Sequence, residues 1–102
     1  MIYVIATIEV VPGRREEMLA ATRQIVPTVR AEEGCIEYGP MIDTPSGLPV
    51  QGPVRPDVVT MVEKWESRAA LEAHLKTPHM VDYFQRTENL RRGLSLQVLE
   101  PV

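Results

Sequence analysis

The N-terminal segment at residues 2–11, "IYVIATIEVV", is apolar along nearly its whole length. One alternating set comprises Ile2, Val4, Ala6, Ile8 and Val10, and the other contains Tyr3, Ile5 and Val11. Side chains on a strand alternate between two faces, so a strand of this kind needs cover on both faces of its sheet. Pro12–Gly13 then ends the segment with a turn signal. The chain must therefore bury a sheet from two sides.

The length of 102 residues allows one domain, over residues 1–102, and is too short for two. The chain has 11 Lys+Arg and 14 Asp+Glu, and its formal net charge of −3 argues against binding to nucleic acid. It contains no run of about 18 apolar residues, so we expect no membrane span. Its single cysteine, Cys35, cannot form an internal disulfide, and the N-terminus lacks a signal-peptide pattern. We therefore expect a cytoplasmic protein.

The rest of the sequence predicts one helix, two strands, a second helix that is split in two, and a last strand. The predicted elements are a helix over 14–32, strands over 35–42 and 58–66, helices over 68–76 and from 78 to about Arg92, and a strand over 94–101. Pro27 is expected to kink or end the first helix early. Ser67 and Thr77–Pro78 are start signals for the two short helices. Residues 43–57, with four Pro and two Gly, predict a long loop.

The predicted order β-α-β-β-α-β is that of an α+β, ferredoxin-like fold. Such a fold has a four-stranded antiparallel sheet with helices on one face. The helices leave the second face open, although the first strand is apolar on both faces. A second copy of the same chain is the most economical cover, and twofold dimers are the commonest oligomers. We therefore expect a homodimer in which the open sheet faces meet.

The usual catalytic signatures do not occur in the sequence. It has no Gly-rich phosphate loop, GxSxG, HExxH or CxxC. His74 and His79 are five positions apart with a predicted helix break between them, so we expect no metal site. Cys35 begins a strand and is expected to be a buried small hydrophobe.

The segment 63–80 contains the single Trp of the chain and both His residues. Glu63 and Trp65 are two positions apart on a strand and so share a face. His74 follows Leu71 by three positions on a helix, which predicts that its ring faces the sheet. A core histidine satisfied by one hydrogen bond explains this position as well as a functional histidine does. His79 lies in a first helical turn and is expected to be exposed or a local cap.

A buried carboxylate at Glu63 would need a partner. Tyr38 in the second strand, and Tyr83 and Phe84 in the last helix, can complete an aromatic-lined cavity between sheet and helices. Small-molecule sites take this form, mostly apolar with few polar groups. Trp65 is also explained by core packing alone.

The stretches "EEGCIEYGPMID" and "EKWESRAALEAHLKTPHM" resemble the antibiotic biosynthesis monooxygenase domain family, including its quinol monooxygenases. The matching residues are Glu33, Gly34, Cys35, Tyr38, Glu63, Trp65, Ser67, Ala73, His74, Thr77, Pro78 and His79. The resemblance covers nearly the whole chain. It implies a dimeric α+β barrel, and oxidation of a quinol or a related phenol by O2 without metal, flavin or haem. No cofactor is therefore expected.

Under this resemblance, His74 is expected to act as a base or to hydrogen-bond a phenolate. Glu63 either orients a histidine or holds the strand geometry. The expected substrate-binding residues are Trp65, Tyr38, Tyr83 and Phe84. The loop at 43–57 is longer than in typical members, which leaves access and substrate size open. The family also includes haem-degrading relatives, which the lack of an Asn in "VIATIEV" disfavours.

The alternative prediction is a dimeric small-ligand-binding or stress-associated protein that catalyses nothing. The enzyme and the non-catalytic protein differ in what is expected to surround His74. An enzyme needs the ring to border a cavity, whereas a ring fully enclosed by Leu71, Leu75 and strand side chains would be a core residue.

Overall fold

The structure, a computed structural model that describes residues 1–102, contains one sheet and three α-helices. The elements are, in chain order, β1 (Ile2–Val10), α1 (Arg15–Arg30), β2 (Cys35–Met41), β3 (Val58–Trp65), α2 (Arg68–Leu75), α3 (Pro78–Arg86), a 3-10 helix (Glu88–Leu90) and β4 (Arg91–Leu99). All strand pairs are antiparallel, in the order β2-β3-β1-β4. The predicted ferredoxin-like arrangement is confirmed. None of the helices is long and apolar enough to cross a membrane.

The two faces of β1 have different surroundings. Its even-numbered residues are buried and belong to the main core, together with apolar side chains of α1 such as Met18 and Val29. Its odd-numbered residues Tyr3, Ile5 and Thr7 are only half-buried, because no helix of this chain packs on them. The helices thus cover one face of the sheet, and the open face keeps an apolar character.

Helix α1 runs through Pro27 and ends at Arg30, so the early end predicted at Pro27 is wrong. Pro27 has no N–H to donate to the carbonyl of Arg23, four positions earlier. Both residues are exposed. That carbonyl is on the solvent side, where helix bonds are longest and water can replace a donor. Ala31 N–H still donates to the Pro27 carbonyl at 3.2 Å, so the last turn is intact.

Helix α3 ends at Arg86, and the prediction that it reaches about Arg92 is wrong. The buried Thr87 hydroxyl donates to the Tyr83 carbonyl at 2.8 Å, after which the chain makes one 3-10 turn and enters β4. Gly93, one residue beyond the predicted end of the helix, lies inside β4 opposite Glu9. A Cβ at Gly93 would lie 2.5 Å from Glu9 Oε2, so the glycine makes room for this side chain.

Strand β2 is an edge strand, and this position tolerates Pro40, which has no N–H for a ladder bond. The irregularity in its pairing lies between Cys35 and Glu37, and not at Gly39–Pro40. The chain from β2 to β3 forms the predicted long loop. Its base is closed by Arg55, which donates from Nε and Nη2 to the Asp43 carboxylate at 2.8 and 2.9 Å.

Gly34 allows the turn after α1 to pass directly against α2. Its φ of +84° is unfavourable for other residues, and an added Cβ would lie 2.6 Å from the Cβ of Ala70. This close approach brings the end of α1 beside α2, where His74 lies.

We predict that Gly34→Ala destabilises the fold more than Gly13→Ala. Both glycines have a φ above +80°, but nothing lies within 4 Å of a Cβ at Gly13. The backbone strain should cost about 1–2 kcal/mol at either position, and overlap with Ala70 should add about 1–3 kcal/mol at Gly34. Urea unfolding measures the difference. Equal losses in the two variants would show that the contact with α2 is not tight.

Candidate functional site

A small cavity lies between the sheet and helices α2 and α3. Its volume is about 50 Å³, and most of its walls are apolar. Five of the six predicted site residues line it, namely Tyr38, Glu63, His74, Tyr83 and Phe84. Trp65 is not among the lining residues. It is fully buried, with its ring centre 4.6 Å from that of His74.

His74 reaches the cavity because α2 begins at a fixed point. The Ser67 side chain accepts the Ala70 N–H at 3.1 Å and so sets the first turn. Leu71 and His74 then point inward and are buried, as their spacing predicted, whereas Leu75 is 42% exposed. His74 is not enclosed on every side by Leu71, Leu75 and strand side chains, since its ring borders the cavity.

Glu32 holds the His74 ring, and it was not among the site residues predicted from the sequence. Its carboxylate oxygens lie 2.9 and 3.1 Å from His74 Nδ1, and its side chain is 11% exposed. Ile25 and Val29 form part of the buried stripe of α1. Glu32 follows Ile25 by seven positions and Val29 by three, so it continues this stripe. A carboxylate on an apolar stripe was the signal that could have revealed it.

This contact determines the tautomer of His74. A carboxylate only accepts hydrogen bonds, so Nδ1 carries the proton and donates it to Glu32. Nε2 therefore has a free lone pair, and it forms no hydrogen bond within the protein. Thr60 Oγ1 is the one fully buried side-chain N or O atom without a partner. His74 Nε2 is therefore not completely buried, although the side chain as a whole is only 2% exposed, and the cavity is the space that the residue borders.

The same reasoning applies to two other polar groups of the cavity lining. The Tyr38 hydroxyl and the second carboxylate oxygen of Glu63 also lack a protein partner and are not fully buried. The Tyr38 ring centre lies 5.4 Å from that of His74, in an edge-on arrangement. An imidazole nitrogen, a phenol and a carboxyl group thus belong to the lining of one apolar cavity.

Burial shifts the protonation of these groups. It lowers the pKa of His74, although the hydrogen bond and charge of Glu32 partly offset it. Burial also raises the pKa of Tyr38, and the charges of Glu63 and Glu32 add to the effect. The pKa of Glu63 is raised mainly by burial as well, against a hydrogen bond from Trp65 that lowers it. At neutral pH the cavity therefore presents a neutral imidazole base and a protonated phenol.

One carboxylate oxygen of Glu63 is hydrogen-bonded to Trp65. The Trp65 Nε1–H donates to Glu63 Oε1 at 2.9 Å, between two residues on the same face of β3. Of the two roles considered for Glu63, orienting a histidine belongs to Glu32 instead. The Glu63–Trp65 bond fixes the indole, which in turn packs against the His74 ring.

His79 contacts the same carboxylate, so the expectation of a merely local or exposed residue is wrong. Its Nε2 lies 2.7 Å from Glu32 Oε2 and 3.2 Å from Thr77 Oγ1, and its side chain is 28% exposed. The Thr77 hydroxyl donates to the His74 carbonyl at 2.8 Å, so its oxygen accepts from His79. His79 Nε2 therefore carries a proton, and both imidazoles donate to Glu32.

Tyr83 and Phe84 form the α3 side of the cavity. The Thr22 hydroxyl donates to the Met18 carbonyl at 2.8 Å, so the 2.7 Å contact between Tyr83 and Thr22 uses the phenolic proton of Tyr83. This leaves Tyr83 with no proton to offer a ligand, whereas Tyr38 keeps its own. Phe84 is half-buried, and the Arg91 guanidinium lies 5.2 Å from its ring centre.

Cys35 lies outside the cavity lining and is half-buried rather than fully buried. Burial and the neighbouring carboxylates raise the pKa of its thiol, which disfavours the reactive thiolate. No group of three or more His, Cys, Asp or Glu side chains is arranged to hold a metal ion.

Fold and site together place a histidine at the wall of a mostly apolar cavity in an α+β domain. The family model described as "Antibiotic biosynthesis monooxygenase" matches residues 1–86. The chain is 43% identical over 103 residues to "Probable quinol monooxygenase YgiN" of Escherichia coli (strain K12), covering 99% of this chain and 98% of that relative. The chain therefore belongs to the antibiotic biosynthesis monooxygenase family, and this membership supports monooxygenase activity in general.

Solved structures of similar proteins agree with the fold. PA3566 from Pseudomonas aeruginosa is 29% identical, with a TM-score of 0.81, over 99% of this chain and 93% of that chain. Rv0793 from Mycobacterium tuberculosis is 25% identical, with a TM-score of 0.77, over 99% and 94% of the two chains. The resemblance inferred from the sequence motifs is confirmed over the whole sheet and all three helices.

We predict that Glu32→Gln lowers the pKa of His74 further. The variant removes the negative charge that favours the imidazolium and leaves the burial that opposes it. NMR titration of the imidazole signals measures the shift. The matched control is Glu33→Gln, because Glu33 is exposed and is one residue away. An unchanged His74 titration in Glu32→Gln would contradict the assigned contact between Glu32 and His74.

Proposed function

We propose that the protein is a cofactor-independent monooxygenase that oxidises a quinol or a related small aromatic with O2. The observation that carries the proposal is the free Nε2 of His74, which Glu32 orients from behind and which borders an apolar cavity. The name of the E. coli relative supports a quinol as the substrate. The proposal uses only groups that the chain itself provides.

The first step is removal of a phenolic proton by His74 Nε2. Glu32 accepts a hydrogen bond from Nδ1 and stabilises the imidazolium that forms, which strengthens the base without changing its position. The apolar walls, including Met61, Met80 and Phe84, keep bulk water from the resulting phenolate. An electron-rich phenolate is able to pass an electron to O2 directly.

The oxygen atoms then divide between product and water. One atom of O2 forms a bond to a ring carbon and replaces its hydrogen, while the other leaves as water. A quinol thus gives a hydroxyquinone, with O2 as the oxidant and the ring as the source of electrons. The Tyr38 hydroxyl, which its raised pKa keeps protonated, is the donor for negative charge that develops on oxygen. Glu63 and Trp65 hold the surrounding geometry.

The alternative, a dimeric protein that binds a small ligand without catalysis, is favoured by the burial of His74, whose side chain is 2% exposed, as that of a core histidine would be. The volume of the cavity limits both functions. A volume of about 50 Å³ is well below the 300–1,000 Å³ typical of ligand pockets. Binding of a ring therefore requires side chains to move. Leu94 and Leu96 of β4, 46% and 44% exposed, form the accessible side of the lining and are the residues placed to do so.

We also propose that two copies of the chain associate through their open sheet faces. The half-buried Tyr3, Ile5 and Val62 lie on this face and give it an apolar centre. A dimer of this kind would form the α+β barrel expected from the sequence. It would also provide the second cover that the two-faced apolar strand β1 requires.

We predict that metal-free protein accelerates the aerobic oxidation of menadiol above autoxidation, and that His74→Gln removes about 10²–10⁴-fold of this acceleration. With ¹⁸O2, one labelled atom should enter the product. The wild-type rate should rise with pH through the lowered pKa of His74, because only the neutral ring accepts a proton. Glu33→Gln is the control. Unlabelled product accompanied by peroxide would identify an oxidase, and binding without turnover would favour the alternative.

We predict a sedimenting species near 23 kDa at micromolar concentration, twice the chain mass of 11.5 kDa. Ile5→Glu should shift this species toward the monomer, because it places a charge at the centre of the open face. Val81→Glu is the control, since Val81 is 46% exposed on α3. A wild-type species near 11.5 kDa would contradict the dimer.

A further inference from the structure

A second, larger concavity adjoins the cavity that contains His74. This groove has a volume of about 390 Å³ and is lined by Arg68, Leu71, Glu72, Leu75, Leu96 and Val98. Leu75 and Leu96 line both spaces, so they are the partition between groove and cavity. We propose that the groove binds an apolar substituent of the substrate, which is accordingly a quinol that carries an apolar side chain. This inference rests on the proposed function and specifies its substrate class.

The volumes assign different parts of one molecule to the two spaces. The inner cavity, at about 50 Å³, has room for the reacting edge of a ring but not for a substituted ring system. The groove alone falls within the range of ligand pockets. A molecule whose hydroxyl group meets His74 Nε2 must therefore extend past Leu75 and Leu96 into the groove.

The groove is apolar because the helices do not extend over β4. Leu96 and Val98 pair with Ala6 and Val4, and so lie on the helix-facing side of the sheet. Ala6 and Val4 are buried, whereas Leu96 and Val98 are 44% and 48% exposed. A ligand that covered these side chains would remove apolar surface from water, which is the main source of affinity for an aliphatic group.

The charges at the groove do not favour an acidic substituent. Arg68 and Glu72 are the charged lining residues, and Arg68 Nε donates to Glu72 Oε1 at 3.1 Å. The two charges are opposite and solvent-exposed, so the groove carries no net positive charge that would attract a carboxylate or a phosphate. An uncharged alkyl or prenyl chain is the substituent that matches this lining.

The substrate is favoured over a second protein chain as the occupant because groove and cavity are continuous. The two spaces share Leu75 and Leu96, so a molecule in the cavity has the groove as its adjoining apolar space. The proposed dimer uses the opposite face of the sheet and leaves the groove free.

The test compares two naphthoquinols that differ only in an alkyl chain at one ring position. We expect the chain-bearing quinol to have a KM at least tenfold lower. Binding of the two corresponding quinones, followed without O2 by quenching of Trp65 fluorescence, should show the same ratio. Trp65 is the single tryptophan and packs on His74, so its emission reports on the site.

Val98→Gln should reduce this ratio to near one, because it places a polar group in the groove without touching the lining of the inner cavity. Val81→Gln is matched in residue type and in exposure, 46% against 48%, and should retain the full ratio. The ratio within each variant cancels general effects on folding.

Equal KM and binding for the two compounds in the wild type would overturn the inference, and turnover of both would leave the proposed function intact. Turnover of neither quinol would instead refute the proposed function. Loss of the sedimenting dimer in Val98→Gln, with an unchanged ratio, would assign the groove to a second chain and also overturn the inference.

Discussion

The hydrogen bond between Glu32 and His74 joins the turn after α1 to the last turn of α2, and the site depends on it. It fixes the rotation of the imidazole, places the proton on Nδ1 and leaves Nε2 available. Two features of the fold make this contact possible. Gly34 lets the turn after α1 approach Ala70, and the Ser67 cap sets the start of the helix that carries His74. The chemistry thus depends on backbone positions that have no chemical function themselves.

The sheet explains where a ligand has access. The helices bury one face of β1 completely but leave β4, at the edge, with apolar side chains in water. One face of β1 is therefore closed by the chain itself, and the other stays half-exposed. The part of β4 that no helix covers lies beside the cavity. The gap in the helix layer is therefore also the side from which the cavity is exposed.

Features determined by neighbouring residues could be predicted from the sequence. Alternation in β1, the caps at Ser67 and Thr77, and the spacing of Leu71 and His74 are all local patterns. Glu32 was missed because its contact with His74 spans 42 positions, and periodicity does not report which residues meet. His79 was misjudged for the same reason, since Glu32 gives it a partner outside its own helix. The end of α3 was placed too late because "NLRR" has ordinary helix-forming residues, whereas the buried Thr87 and the pairing of β4 with β1 decide it.

Glu32 carries one negative charge between two imidazoles. His74 Nδ1 and His79 Nε2 lie 2.9 and 2.7 Å from the same oxygen, Oε2, although the two histidines belong to different helices. One side chain after the end of α1 therefore ties α2 and α3 together. Loss of this single anchor would release two rings on two helices, and not only the ring that borders the cavity.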